Sequence, residues 1–129
     1  MQSNQTKLAA TLLRLAMGTM FLSHGLLKVL VFTLAGTAGF FESLGLPGFL
    51  AYIVTFAEII GGVLLVVGFK TRLVAWAMTP VLLGATWAHL GNGWVFSNAN
   101  GGWEYPLFLT IAGIVVALLG PGTMSIDKE

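Results

Sequence analysis

The sequence predicts an all-α fold: an integral membrane four-helix bundle with both termini cytoplasmic. Two observations carry this prediction. Of the 129 residues, 57% are hydrophobic and 9% charged, with a mean hydropathy of +0.90, and a chain this short has too little interior to hide that much apolar surface from water. The apolar residues also fall into four continuous runs, 8–34, 49–69, 73–90 and 103–119, each near the roughly 20 residues that a helix needs to cross about 30 Å of hydrocarbon. None of the runs alternates with the period of two expected of a membrane β-strand, and in lipid a helix satisfies its own backbone. Residues 1–129 therefore read as a single four-helix transmembrane domain.

The first run follows Lys7 as a signal peptide would, but it continues too far and lacks a small-residue cleavage site, so it reads as a retained span. Residues 35–48 set Gly36, Gly39, Gly45, Pro47 and Gly48 among Phe40, Phe41, Leu44 and Leu46, which describes either a surface turn lying against the membrane or a plain loop. Lys70-Thr71-Arg72 leaves room only for a tight turn, making the second and third spans an antiparallel hairpin. The third and fourth runs are short, so an extra helical turn or a thinned bilayer must complete them. Between them, residues 91–102 form a Gly- and Asn-rich loop, after which Glu104 and Pro106 suit the first turn of a helix.

Four spans place Lys7, Lys70, Arg72 and Lys128 on one side, while the loops on the other side have no Lys or Arg. That asymmetry makes the basic side cytoplasmic in a multi-pass protein of the cell inner membrane. Trp87, Trp94 and Trp103 then gather at the outer interface as an aromatic belt. A net charge of +1 offers no basic field for nucleic acid. The chain contains no cysteine, which excludes disulfides, thiolate metal sites, cysteine-held iron–sulfur clusters and persulfide chemistry on its own sulfur.

Ionisable groups within the spans are the main pointer to function, because each costs about 2.5 to 3.5 kcal/mol at a helix centre and so requires a partner. At 100° per residue, Arg14, His24 and Lys28 project from the first span within a sector of about 80°, with Gly18 and Gly25 beside them. Glu58 precedes Gly61 and Gly62 by one turn on the second span, on a face where helices can approach closely. At 1.5 Å per residue, Glu58 lies about 13 Å inward from Phe49, and His24 and Lys28 about 15 and 9 Å from Leu34, so the three share a level. Arg14 comes from the opposite surface and reads as a structural anchor that snorkels or bonds helix carbonyls. His89 ends the third span and Glu104 opens the fourth, bringing five groups from separated segments to the outward half.

Two readings of this cluster stand side by side. A Lys28–Glu58 pair can simply fix helix register, or the cluster can be a site. Two histidines with Glu58 and Glu104 also make a divalent-metal set, against which Lys28 would act by repulsion; the expectation is no metal, haem or iron–sulfur cluster. Gly84 with Ala88 and Gly113 with Ala117 offer small-residue surfaces for helix contact.

Several blocks stand out in order along the chain: Arg14-Leu15 with Phe21-Leu22-Ser23-His24-Gly25-Leu26-Leu27-Lys28, Phe40-Phe41-Glu42-Ser43-Leu44-Gly45-Leu46-Pro47, and Ala57-Glu58-Ile59-Ile60-Gly61-Gly62 followed by Gly68-Phe69-Lys70-Thr71-Arg72. His89, Gly102-Trp103-Glu104-Tyr105-Pro106 and Gly120-Pro121-Gly122 with Ser125-Ile126-Asp127 complete the set. In order and spacing these blocks resemble the DoxX family of small bacterial and archaeal membrane proteins along nearly the whole chain, although Thr123 and Met124 stand where a basic or aromatic residue is expected. The resemblance implies a four-helix membrane bundle. It also implies a link to quinone chemistry, since some relatives belong to a thiosulfate:quinone oxidoreductase or are associated with resistance to quinones and oxidative stress. The positions matching the family's polar pattern are Arg14, His24, Lys28, Glu58, His89 and Glu104.

The leading functional expectation is a quinone or quinol site supporting a membrane redox process, since an apolar ring needs a lipid-accessible pocket, donors for its carbonyl oxygens and a carboxylate to relay protons. Glu58, His24 and Lys28 are the candidate catalytic groups: Lys28 and His24 as donors, Glu58 as the group that holds Lys28 and exchanges protons. His89 and Glu104 extend the binding set toward the outer aqueous phase. Electrons would come from a redox enzyme subunit, a bound cofactor or a diffusible reductant. The alternative is a noncatalytic scaffold that recruits or stabilises a redox enzyme. A small-solute transporter ranks last, because no inverted repeat or interrupted helix is present. Beyond the lipid bilayer, the partners envisaged are that redox subunit and a second copy of the chain.

Overall fold

The computed structural model describes residues 3–127. Among these, the regular structure is helical throughout: α1 (Asn4–Leu30), α2 (Leu34–Ser43), α3 (Phe49–Val67), α4 (Thr71–His89) followed by a 3-10 turn (Leu90–Asn92), and α5 (Glu104–Leu119). The long helices α1, α3, α4 and α5 form the four-helix bundle, and α2 is a short helix packed mainly on α3 at one end. Asn4–Leu30, Phe49–Val67 and Thr71–Asn92 are each long and apolar enough to cross a membrane. The third run gains length at both ends, as its shortness requires. The fourth does not: α5 has 16 residues, about 24 Å of helix, so it fits only a thinned bilayer or flanking residues at depth.

The boundaries of the first helix and of the segment after it differ from the sequence reading. The first helix runs four residues earlier than the apolar run 8–34, because Ser3 caps its start by accepting from the Thr6 N–H at 3.1 Å and the chain breaks at Thr33, where φ is 67°. Hydropathy marks what lipid tolerates, whereas caps and backbone angles mark where a helix ends. Thr33 then caps α2 by accepting from the Gly36 N–H at 3.0 Å, so residues 34–43 are helix and the turn or loop expected over 35–48 is confined to the residues after Ser43.

The helices pack along stripes of small and polar residues. Buried positions on α1 are Ala10, Thr11, Arg14, Met17, Gly18, Phe21 and Gly25, and on α3 Ala51, Thr55, Glu58, Gly61, Gly62 and Leu65. Both series follow the three- and four-residue steps of a single helix face. These faces meet closely: a Cβ added at Gly62 would lie 2.6 Å from the Leu22 nitrogen and 2.8 Å from the Gly18 carbonyl oxygen. Gly113 also packs, against Leu82 and Met17, but Gly84 has nothing within 4 Å of an added Cβ, so it is not the helix contact its spacing with Ala88 suggests. Met17, Phe21, Leu65, Ala75, Met78, Leu82, Ala112, Val116 and Ala117 form the apolar core.

The basic end of the bundle is closed by side chains that satisfy helix termini. Arg14 is fully buried, and its guanidinium donates to the carbonyls of Leu65, Val66, Pro121, Thr123 and Met124 at 2.7 to 3.1 Å. Two of those carbonyls belong to the last turn of α3, whose remaining two are met by Phe69 N–H on Leu64 and Ile126 N–H on Val67. Arg72 donates to Ala117, Leu118 and Leu119 at the end of α5. Asp127 accepts from the N–H groups of Lys70 and Thr71 at the start of α4, at 2.7 and 2.8 Å. Lys7, Lys70 and Arg72 share this end with both described chain ends, as the charge pattern predicts; Lys128 lies outside the described residues.

Candidate functional site

The opposite half of the bundle holds a cavity of about 580 Å3 whose lining includes His24 and Lys28 of α1, Glu58 of α3, His89 of α4 and Tyr105 of α5. Four of the five ionisable groups singled out from the sequence therefore share one space. Met17, Phe21 and Leu82 of the core form its floor, so the apolar core separates this cavity from the Arg14 layer.

Lys28 donates to the Glu58 carboxylate, the ion pair that joins α1 to α3. Helix direction makes the meeting possible. Side chains lean toward the N-terminus of their own helix, so Lys28, in the last turn of α1, leans into the bundle, while Glu58 on the antiparallel α3 leans out to meet it. Because α1 ends at Leu30 rather than Leu34, Lys28 and His24 lie about 3 and 9 Å from the helix end, one turn shallower than the apolar run indicates. The long lysine stem covers the difference. Glu58 is 7% exposed, and the paired ammonium is what makes its burial tolerable.

The two histidines are fixed in the same way. His24 Nδ1 lies 2.7 Å from the Met20 carbonyl oxygen, and His89 Nδ1 lies 2.8 Å from that of Ala85. A carbonyl only accepts, so Nδ1 carries the proton and Nε2 is left as the acceptor of a neutral ring or the second donor of a charged one. Neither histidine bonds Glu58 directly. Among the described residues no three His, Asp or Glu side chains come close enough to hold a metal ion.

Glu104 stands apart from this group. It accepts from the Phe96 N–H at 3.0 Å and lines a neighbouring pocket with Trp94 and Phe96 rather than the main cavity. Adjacent helical residues point about 100° apart, so α5 can turn only one of Glu104 and Tyr105 to the centre, and it turns Tyr105. That ring sits 6.3 Å from His24 and 5.3 Å, edge-on, from Phe96. Tyr105 is not among the site residues the sequence singles out, and its aromatic ring at the mouth of a span is the signal that marks it. Glu104 instead holds the loop after α4, where Trp94 and Trp103 pack edge to face at 4.6 Å and Asn100, Gly101 and Gly102 cover one side of the cavity.

The sequence model of the DoxX family matches residues 9–91, a segment containing His24, Lys28, Glu58 and His89. The chain belongs to the DoxX family. It is 35% identical over 121 residues to a Bacillus subtilis (strain 168) protein named "Putative oxidoreductase CatD", covering 94% of this chain and 86% of that one. It is 33% identical over 117 residues to the Escherichia coli (strain K12) "Inner membrane protein YqjF", covering 89% and 86%. No solved structure matches. With its family and its apolar helices, this DoxX protein is a membrane protein, and the matched segment ends before Tyr105 and Glu104, so the fourth wall of the cavity lies beyond it.

Proposed function

We propose that this protein binds a quinone or quinol in the cavity between α1, α3, α4 and α5 and supports a redox process in the cell inner membrane. The observation that carries the reading is the gathering of Lys28, Glu58, His24 and His89 around one largely apolar space. A quinone ring fits that chemistry: apolar side chains for its faces, and a few convergent polar groups for its oxygens. When bound, the group supplies two-electron, two-proton exchange, with the electrons passing to or from a partner subunit or a diffusible carrier. Lys28 donates toward one oxygen while Glu58 holds its ammonium in place. His24 and His89 accept or donate through Nε2, and the Tyr105 hydroxyl, which donates to Met20 Sδ at 3.6 Å, adds a further donor by turning from that weak sulfur acceptor to a ring oxygen. The oxidoreductase in the name of the B. subtilis relative and the inner membrane in that of the E. coli relative agree with the process and the location.

The completed Lys28–Glu58 pair also favours a second reading, a noncatalytic scaffold whose buried ions fix the bundle while it recruits a redox enzyme. One titration separates the two. Purified protein is analysed for co-extracted quinone, then titrated with a ubiquinone or menaquinone analogue beside Glu58→Gln and Tyr105→Phe, each shown by gel filtration and helix content to be folded. Saturable binding by the wild type that weakens about tenfold or more in Glu58→Gln supports the site. Equal, negligible binding by all three leaves the scaffold.

A further inference from the structure

A second cavity, of about 400 Å3, lies under α2. Its walls are almost wholly hydrocarbon: Phe40, Phe41 and Leu44 on one side, Leu50 and Val54 of α3 behind, and Pro80, Val81, Gly84 and Ala88 of α4 opposite. It shares Lys28, Glu58, Ala85 and His89 with the larger cavity. The ion pair therefore lies where the two spaces meet, one with several polar groups to offer and one whose only polar group beyond the shared residues is the indole N–H of Trp87.

We propose that the ligand of this site is a prenyl-tailed quinone, whose ring lies beside Lys28 and His24 and whose tail lies in the cavity under α2. The inference rests on the quinone reading and adds the tail to it. Adjacency is the first support: a molecule anchored by its ring oxygens at Lys28 has an apolar compartment next to the anchor, lined by the same Lys28, Glu58, Ala85 and His89. The lining is the second. Beyond the residues it shares with the larger cavity, a polar substituent would find only the Trp87 indole N–H, so most polar groups placed there would bear an uncompensated desolvation penalty. Room is the third, since a Cβ added at Gly84 meets nothing within 4 Å, leaving the α4 wall open where a chain would pass. Phe40 and Phe41, with rings 6.4 Å apart and near edge to face, give the opposite wall an uneven apolar surface suited to a methyl-branched chain.

Within a bilayer the tail gains nothing from leaving water, because lipid chains are as apolar as leucine. The cavity therefore recognises the tail through fit and through its attachment to a ring already held. This makes the prediction specific: filling the cavity must weaken the tailed ligand and spare the bare ring. The protein is reconstituted in phospholipid nanodiscs and titrated with two quinones sharing one ring, the first carrying a prenyl tail and the second a methyl group in its place. Wild type, Gly84→Leu, Ala88→Leu and Glu58→Gln are compared in the same lipid, so that differences in partitioning cancel between variants. The expected result is that Gly84→Leu and Ala88→Leu each weaken the tailed quinone by about tenfold and the bare ring by less than about twofold, whereas Glu58→Gln weakens both. If neither filler separates the two ligands, the tail assignment falls while the ring site stands. If the wild type binds neither quinone, the quinone reading falls and takes this inference with it.

Discussion

Lys28 on α1 donates to Glu58 on α3 across the most extensively packed helix pair in the bundle, and the buried carboxylate depends on the half-buried ammonium. Removing one partner leaves an uncompensated charge, whereas removing both leaves only apolar contacts. Lys28→Met should therefore destabilise the protein by about 3 kcal/mol, and Lys28→Met with Glu58→Leu should recover most of that loss. Thermal unfolding in detergent reads the stability. If the pair serves only register, the double variant is a full replacement; if it serves a ligand, quinone binding stays lost after stability returns.

Arg14 uses all five of its N–H donors on five backbone carbonyls, from the end of α3 and from residues 121–124. Arg14→Lys keeps the charge but has three donors on one nitrogen, so at least two carbonyls lose their partner in a dry environment. The expected cost is about 3 kcal/mol, together with faster proteolysis of the residues after Gly120. Unchanged melting and unchanged tail cleavage would show that water replaces the guanidinium without loss.

Much of this was legible in the sequence, for reasons that differ by residue. The four long helices follow from the thickness of hydrocarbon, and the convergence of Lys28 with Glu58 follows from counting turns inward along antiparallel helices. The carbonyl ligands of Arg14 at residues 121–124 were not legible, because they are backbone atoms of an irregular segment that carries no side-chain pattern. The α2 helix was hidden by Gly36 and Gly39, which lower helix propensity but do not outweigh a Thr33 cap and packing of the helix against α3. The placement of Glu104 beside the main cavity rather than in it was not legible either: its charge is visible in one dimension, while its direction is set by Tyr105 filling the inward position.

Asp127 predicts a pH dependence of known sign. Burial pulls its carboxyl upward, but hydrogen bonds from Thr71 and Lys70 and the charge of Arg14 together outweigh this and hold it below its ordinary value of 3.8. A depressed folded value means that the contribution to stability is full above the unfolded value and disappears as pH falls through the folded one. Asp127→Asn should thus melt lower than wild type at neutral pH by an amount on the scale of a lost helix cap, about 1 kcal/mol. The gap should hold until the pH nears about 4 and close below that. A gap that closes already between about pH 6 and 5 would assign the effect to another group.

Gly62 and Gly84 look alike in sequence, each on an apolar helix, yet the structure gives them opposite sensitivities. A methyl at Gly62 meets the Leu22 nitrogen at 2.6 Å and the Gly18 oxygen at 2.8 Å, both backbone atoms that cannot rotate away, so α1 must move off α3. Gly62→Ala should destabilise by about 1–3 kcal/mol, the range for an overpacked core. The displacement also carries Lys28 away from Glu58, so on the quinone reading proposed above, affinity should fall along with stability. Gly84→Ala meets open space and removes a flexible residue from a helix interior, which should leave stability unchanged or raise it by up to about 1 kcal/mol. Melting curves of the two variants, measured side by side, test the placement of α1 against α3: equal effects at both positions would mean that the close crossing of Gly18 and Gly62 is not what holds the site together.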